Sequence, residues 1–134
     1  MGLASTASAA DRVIMMPIAD ALNSPEAIAQ LGSSIKFYFG PQAIPNVGEE
    51  LGNGSTNKKT NAFGKSDSDA CNWVFLSAML QLQKRAEQLG ADAVVNIVSN
   101  YKKVEFASEK EFECHVGMLM AGVALKGDFV KLKK

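Results

Sequence analysis

Apolar positions along the chain fall into several short runs and one long helical stripe. Val13-Ile14-Met15-Met16 is an apolar run closed by Pro17, so Arg12 to Ile18 is predicted as a short strand. A helix follows. Ser24 suits an N-cap, Pro25 the first helical position, Glu26 the positive end of the helix dipole, and Gly32 a left-handed C-cap. Ile35 to Phe39 is rich in aromatics and closed by Gly40-Pro41, which predicts a second strand. From Pro41 to Lys65 the pattern dissolves into Gly, Asn, Pro and Lys, with only Glu49-Glu50-Leu51 suggesting a turn of helix. This stretch is expected to be a long loop, and loops of that length in compact domains are often functional.

The strongest local signal comes next. Ser66-Asp67-Ser68-Asp69 matches the Ser-x-x-acid capping pattern and opens a helix expected to run to Leu89, with Gly90 as its C-cap. Cys71, Val74 or Phe75, Ala78, Leu82, Ala86 and Leu89 recur at helical spacing as a buried stripe, while Gln81, Gln83, Lys84, Arg85, Glu87 and Gln88 face mostly solvent. Ala93 to Tyr101 is a Val/Ile-rich strand whose odd positions Val95, Ile97 and Tyr101 are its apolar face. After a charged turn from Lys102 to Glu111, Phe112 to Leu125 is expected to return as the second strand of an antiparallel hairpin. Its alternation turns Cys114 inward and His115 outward. Past Gly117 both faces are apolar, as where a strand is covered on both sides by a second layer or another subunit. The expected fold class is α+β, in the order β-α-β-(long loop)-α-β-β, with helices packed on a mostly antiparallel sheet.

Length and composition narrow the setting. A chain of 134 residues with 47% hydrophobic content is one domain with a real core, here residues 11 to 134. Its 14 basic and 14 acidic residues cancel without asymmetry between the halves, which argues against binding nucleic acid or an anionic membrane by bulk charge. The longest apolar run, Val116 to Leu125, is about half a bilayer span, so no membrane span is expected. Residues 1 to 10 are nearly all small. Ala7-Ser8-Ala9 matches the small-x-small pattern that signal peptidase cuts, so this segment reads either as the remnant of an export signal or as a disordered Ala/Ser lead. Export predicts a periplasmic or secreted location.

The cysteines and the one histidine limit the chemistry. In an exported protein an even pair suggests a disulfide, and Cys71 on the helix stripe can staple to Cys114 on the inner strand face. The sharper alternative is a thiol oxidoreductase that uses Cys71, placed in the first helical turn where the dipole lowers a thiol's pKa. Cys114 and His115 point to opposite faces, so His115 is only a weak candidate metal ligand, and no cofactor is implied. Asn57, Lys58, Lys59, Asn61, Lys65 and Ser66 can hold an anion or small ligand at the helix start or, with His115, a metal ion. Gly64-Lys65-Ser66 resembles the end of a P-loop, but Lys59 stands where its first glycine belongs. Glu105, Glu109, Glu111 and Glu113 with Lys102, Lys103 and Lys110 read as a solvated tip, and Trp73 and Phe75 as core or interface. No residue is assigned a catalytic role.

The run Thr56-Asn57-Lys58-Lys59-Thr60-Asn61-Ala62-Phe63-Gly64-Lys65-Ser66, with Ala70-Cys71-Asn72-Trp73-Val74-Phe75-Leu76-Ser77-Ala78, resembles a family of small exported proteobacterial proteins. So do Gly90 to Ile97, Glu113-Cys114-His115, and Met120 to Gly127, and the resemblance runs from about Ile14 to Leu132. Members often carry an excinuclease ABC label, or that of the excinuclease ATPase. This chain has no Walker A, no signature motif and no zinc-finger spacing, so the resemblance brings neither activity with it. The helix, Gly-Ala-Asp-Ala-Val-Val and hairpin are more distantly similar to the YbjQ-type heavy-metal-binding family and to the C-terminal domain of the Rcs envelope-stress lipoprotein. That similarity implies an α+β domain, cysteine pairing in the exported branch and a tendency to assemble in the YbjQ branch; the apolar strand from Val116 to Leu125 is where a homo-oligomer of this chain is expected to form. The expected role is a non-enzymatic binding or structural domain whose partner is unknown.

Overall fold

A computed structural model describes residues 12–134; the expected signal remnant lies outside the described residues. Six strands form one sheet: β1 (Arg12–Pro17), β2 (Lys36–Phe39), β3 (Val47–Asn61), β4 (Ala93–Ser99), β5 (Glu111–Val116) and β6 (Met120–Leu132). Three helices accompany it: α1 (Ile18–Leu22), α2 (Pro25–Leu31) and the long α3 (Asp67–Leu89). The class is α+β and the sheet is mostly antiparallel, β2 with β4 being a parallel pair.

The 13-residue β6 is the axis of the sheet. One of its edges pairs with β3 along its whole length; the other pairs with β5 at Ala121 and Gly122, then with β4 from Leu125 to Val130. The stretch expected as a long loop is mostly strand β3, because the free edge of β6 offers a full ladder of unpaired N–H and C=O groups, and pairing them outweighs the poor strand propensity of Gly, Asn and Lys. The expected hairpin also moves. Phe112 to Leu125 breaks at Gly117 into β5 and β6, and β4 pairs with β6 rather than with β5.

Helix α3 lies across one face of the sheet. Ser66 caps it by accepting a hydrogen bond from Asp69 N at 3.0 Å, and Gly90 ends it in the left-handed conformation (φ 74, ψ 24), which glycine adopts without a Cβ penalty. The predicted stripe is buried, except that Leu89 is only half-buried. Gln83 is buried as well, contrary to its expected solvent position, because its amide donates to Leu31 O at the end of α2. Phe75 fills the centre. Its ring stacks on Phe112 of β5 (4.1 Å between centroids) and lies 6.1 Å from Phe39 of β2, so one helix residue joins both arms of the sheet. Trp73, expected in a core or interface, is half-exposed.

Strand β4 does not keep one apolar face. Asn96 stands at φ 54, a conformation Asn tolerates better than most residues, and the register with β6 slips between Val95 and Val98. The extra residue flips the alternation. Val94 and Ile97 join the core under α3, while Val95 faces a second small core with Ala93 and Val130 on the opposite face. Gly127 packs where these meet: a Cβ there would stand 2.7 Å from Val94 Cγ1.

The double apolar face of β6 is covered within the chain. Ala121, Val123 and Leu125 lie in the core that α3 shares, and Gly122 lies beneath Tyr101. Only Met118, Leu119 and Met120 of the expected assembly strand stay largely exposed.

Candidate functional site

Cys71 and Cys114 form a disulfide, with Cα atoms 6.0 Å apart, and both residues are fully buried. The bond joins α3 to β5 and closes a loop with a sequence separation of 43. Cys71 is the fifth residue of α3, beyond the first turn where the sequence placed it. A redox thiol needs an accessible sulfur, and these have none.

The chemistry-bearing side chains gather on the other face of the sheet. Register places Val13 of β1, His115 of β5, Gly122 of β6 and Lys59 of β3 in one row across four strands. The row is capped from outside. After Ser99 pairs with Leu125, Asn100 N donates to Ala124 O and the chain leaves the sheet, carrying Tyr101 over Gly122. Tyr101 reaches His115 because Gly122 has no side chain in between. The two rings stack 3.5 Å apart at 12°. Lys102 and Lys103, both at positive φ, turn the chain back, and the Lys102 ammonium lies 5.9 Å from the Tyr101 ring.

His115 is held from a second direction. Glu113, two residues back on the same strand face, accepts a hydrogen bond from His115 Nε2, and both side chains are less than a fifth exposed. The sequence groups Glu113 with the solvated charges of a tip, and its i, i+2 spacing from His115 on one strand face is the signal of their pairing.

Beside this pair lies a cleft of about 310 Å³, lined by Lys59, Tyr101, His115 and the turn from Gly117 to Gly122. Met118 and Leu119 are the two central residues of the tight β5–β6 turn, which Gly117 N closes by donating to Met120 O at 2.7 Å. Tight hairpin turns favour Gly, Asn and Asp, yet here two large apolar side chains stand in solvent, Met118 being 80% exposed.

Of the residues expected to form an anion loop, Asn57, Lys58, Lys59 and Asn61 are divided between the two faces of β3, and Lys65 lies exposed in the bend before α3. Asn57, Lys59 and Asn61 face outward and exposed, while Lys58 alternates to the other side with the buried Thr56. Asn61 accepts from Phe63 N, and Ser66 is occupied as the helix cap. The positive end of α3 is already met by Asp67 and Asp69, which an added anion would face. Asp67 takes two hydrogen bonds from the Arg12 guanidinium, which hold its carboxyl below the usual carboxylate value and raise the arginine. Likewise the hydrogen bond from Lys126 to Glu105 raises the lysine.

Among the described residues no helix is long and apolar enough to cross a membrane, and no three His, Cys, Asp or Glu side chains are grouped to hold a metal ion. No family model, curated protein or solved structure matches the chain.

Proposed function

We propose that the chain is an extracytoplasmic, non-enzymatic binding domain, locked by the Cys71–Cys114 bond, that offers the cleft beside His115 to its ligand. The buried disulfide supports the compartment, since such bonds persist in oxidising surroundings and are rare where thioredoxin and glutathione act. The sequence likeness to small exported proteobacterial proteins supports it independently. The observation that carries the binding role is the fixation of His115: a stacked tyrosine and a hydrogen-bonded carboxylate hold one imidazole at the wall of a cleft whose rim is exposed and apolar. Small-ligand sites combine an apolar lining with a few fixed polar groups in this way.

Native mass spectrometry of protein purified from the periplasm tests both halves. The expected mass is two hydrogens below the fully reduced chain, with a bound species that Tyr101→Ala loses. Free thiols in that material would overturn the compartment. A bound species retained by both Tyr101→Ala and His115→Ala would overturn the cleft.

A further inference from the structure

Three features of the cleft agree on one ligand chemistry. The first is the histidine. In the tautomer whose Nε2 donates to Glu113, Nδ1 carries the lone pair, and an imidazole oriented by a carboxylate through its other nitrogen is the usual arrangement of a metal-binding histidine. Stacking on Tyr101 fixes the plane of the ring as well.

The second is the sulfur. Met118 and Met120 line the same cleft as His115, at 80% and 46% exposure, and neither belongs to either apolar core. Packing therefore does not explain why methionine stands at the centre of the turn and again at the first residue of β6. Of the protein's six methionines, Met79 shows the ordinary use of this side chain, being wholly buried.

The third is what is missing from the donor set. Both cysteines are consumed in the disulfide, so the site has no thiolate, and the described residues supply no carboxylate cluster. Calcium and magnesium sites are built from oxygen donors, and zinc sites from at least three thiolate, imidazole or carboxylate ligands, of which this cleft offers only one imidazole. Two thioethers and one imidazole are instead a soft donor set, which selects copper(I) among biological cations.

We propose that Met118 and Met120, through their sulfur atoms, and His115, through Nδ1, form a binding site for copper(I), with Glu113 as the positioning residue behind the histidine. The proposal rests on the reading of this cleft as the recognition site and names its ligand. Lys59 also lines the cleft; its exposed ammonium must swing toward solvent when a cation enters.

The test uses the disulfide-bonded chain, with copper(I) maintained by ascorbate and set against a chromophoric copper(I) chelator. One ion per chain is expected, with shifts confined to the ε-methyl resonances of Met118 and Met120 and to the His115 ring. Met118→Leu combined with Met120→Leu is expected to weaken binding at least 10-fold without moving the thermal midpoint. Glu113→Ala is expected to weaken it roughly 10- to 100-fold, as loss of a hydrogen-bonding partner behind a ligand does elsewhere, while Glu113→Gln, which keeps an acceptor oxygen, restores part of the affinity. No competition with the chelator, unchanged affinity in the double methionine variant, or shifts at Met15 and Met16 instead would each overturn the proposal. If copper(I) fails while another species is still lost from Tyr101→Ala, the copper assignment falls and the cleft stands.

Discussion

Between His115 and Lys59 the outer row of the sheet holds a residue without a side chain, and the site depends on that gap. A Cβ on Gly122 would lie 3.6 Å from Lys59 Cγ and 3.7 Å from Tyr101 Cε1, which is ordinary contact, so Gly122→Ala fits. A branched side chain reaches further and takes the space of the tyrosine ring. Gly122→Val is therefore expected to lift Tyr101 from His115, read as loss of the mutual ring-current shifts of the two rings, while Gly122→Ala keeps them. Arg12 and Asp67 carry a pH dependence of known sign. The Asp67 carboxyl is held low by its hydrogen bonds from Arg12, so the stability the pair adds is fully present above the unfolded carboxylate value and is lost as pH falls through the lowered folded value. Urea midpoints measured across the acid range should fall more steeply for the parent chain than for Asp67→Asn. The difference should be small and shrink in high salt, since both groups are exposed.

At the scale of elements, β4 shows one residue deciding two cores. The positive φ of Asn96 inserts the extra residue that sends Val95 to one face and Ile97 to the other, and its amide donates to Asp128 at 2.9 Å. A β-branched residue in this conformation brings its Cβ against the backbone at a cost of roughly 1–2 kcal/mol, and glycine avoids that clash. Both substitutions lose the Asp128 contact, so their difference isolates the backbone. Chemical denaturation should place Asn96→Val about 1–2 kcal/mol below Asn96→Gly; equal stabilities would mean that the bulge relaxes. Strand β3 makes the complementary point. Its composition disfavours a strand, but as an edge strand it needs one partner only, and Lys, Gly and Asn on such an edge discourage pairing with other chains.

For the molecule as a whole, the disulfide is the largest single constraint. Opening a loop with a separation of 43 releases chain entropy worth about 4 kcal/mol, a large share of the stability of a domain this size. Cys71→Ala with Cys114→Ala is expected to lower the unfolding free energy by about 2–4 kcal/mol, measured in urea, and alkylation of the undenatured parent should label neither sulfur. What the sequence determined was local. Caps at Ser24, Ser66 and Gly90, the stripe of α3 and the inward turn of Cys114 all follow from backbone chemistry and side-chain periodicity within a few residues, and the cysteine pairing was legible because two inward positions had only each other. What the tertiary structure decided was whatever depends on a partner distant in sequence. Strand β3 exists because β6 has an edge to fill, the faces of β4 divide because a bulge adapts it to β6, and Tyr101 meets His115 because Gly122, on a third strand, leaves room. The candidate site was legible only as single residues, Lys59 and His115 among them. Its assembly requires four strands in register, and hydrogen bonds between strands carry no periodicity that one chain segment can display.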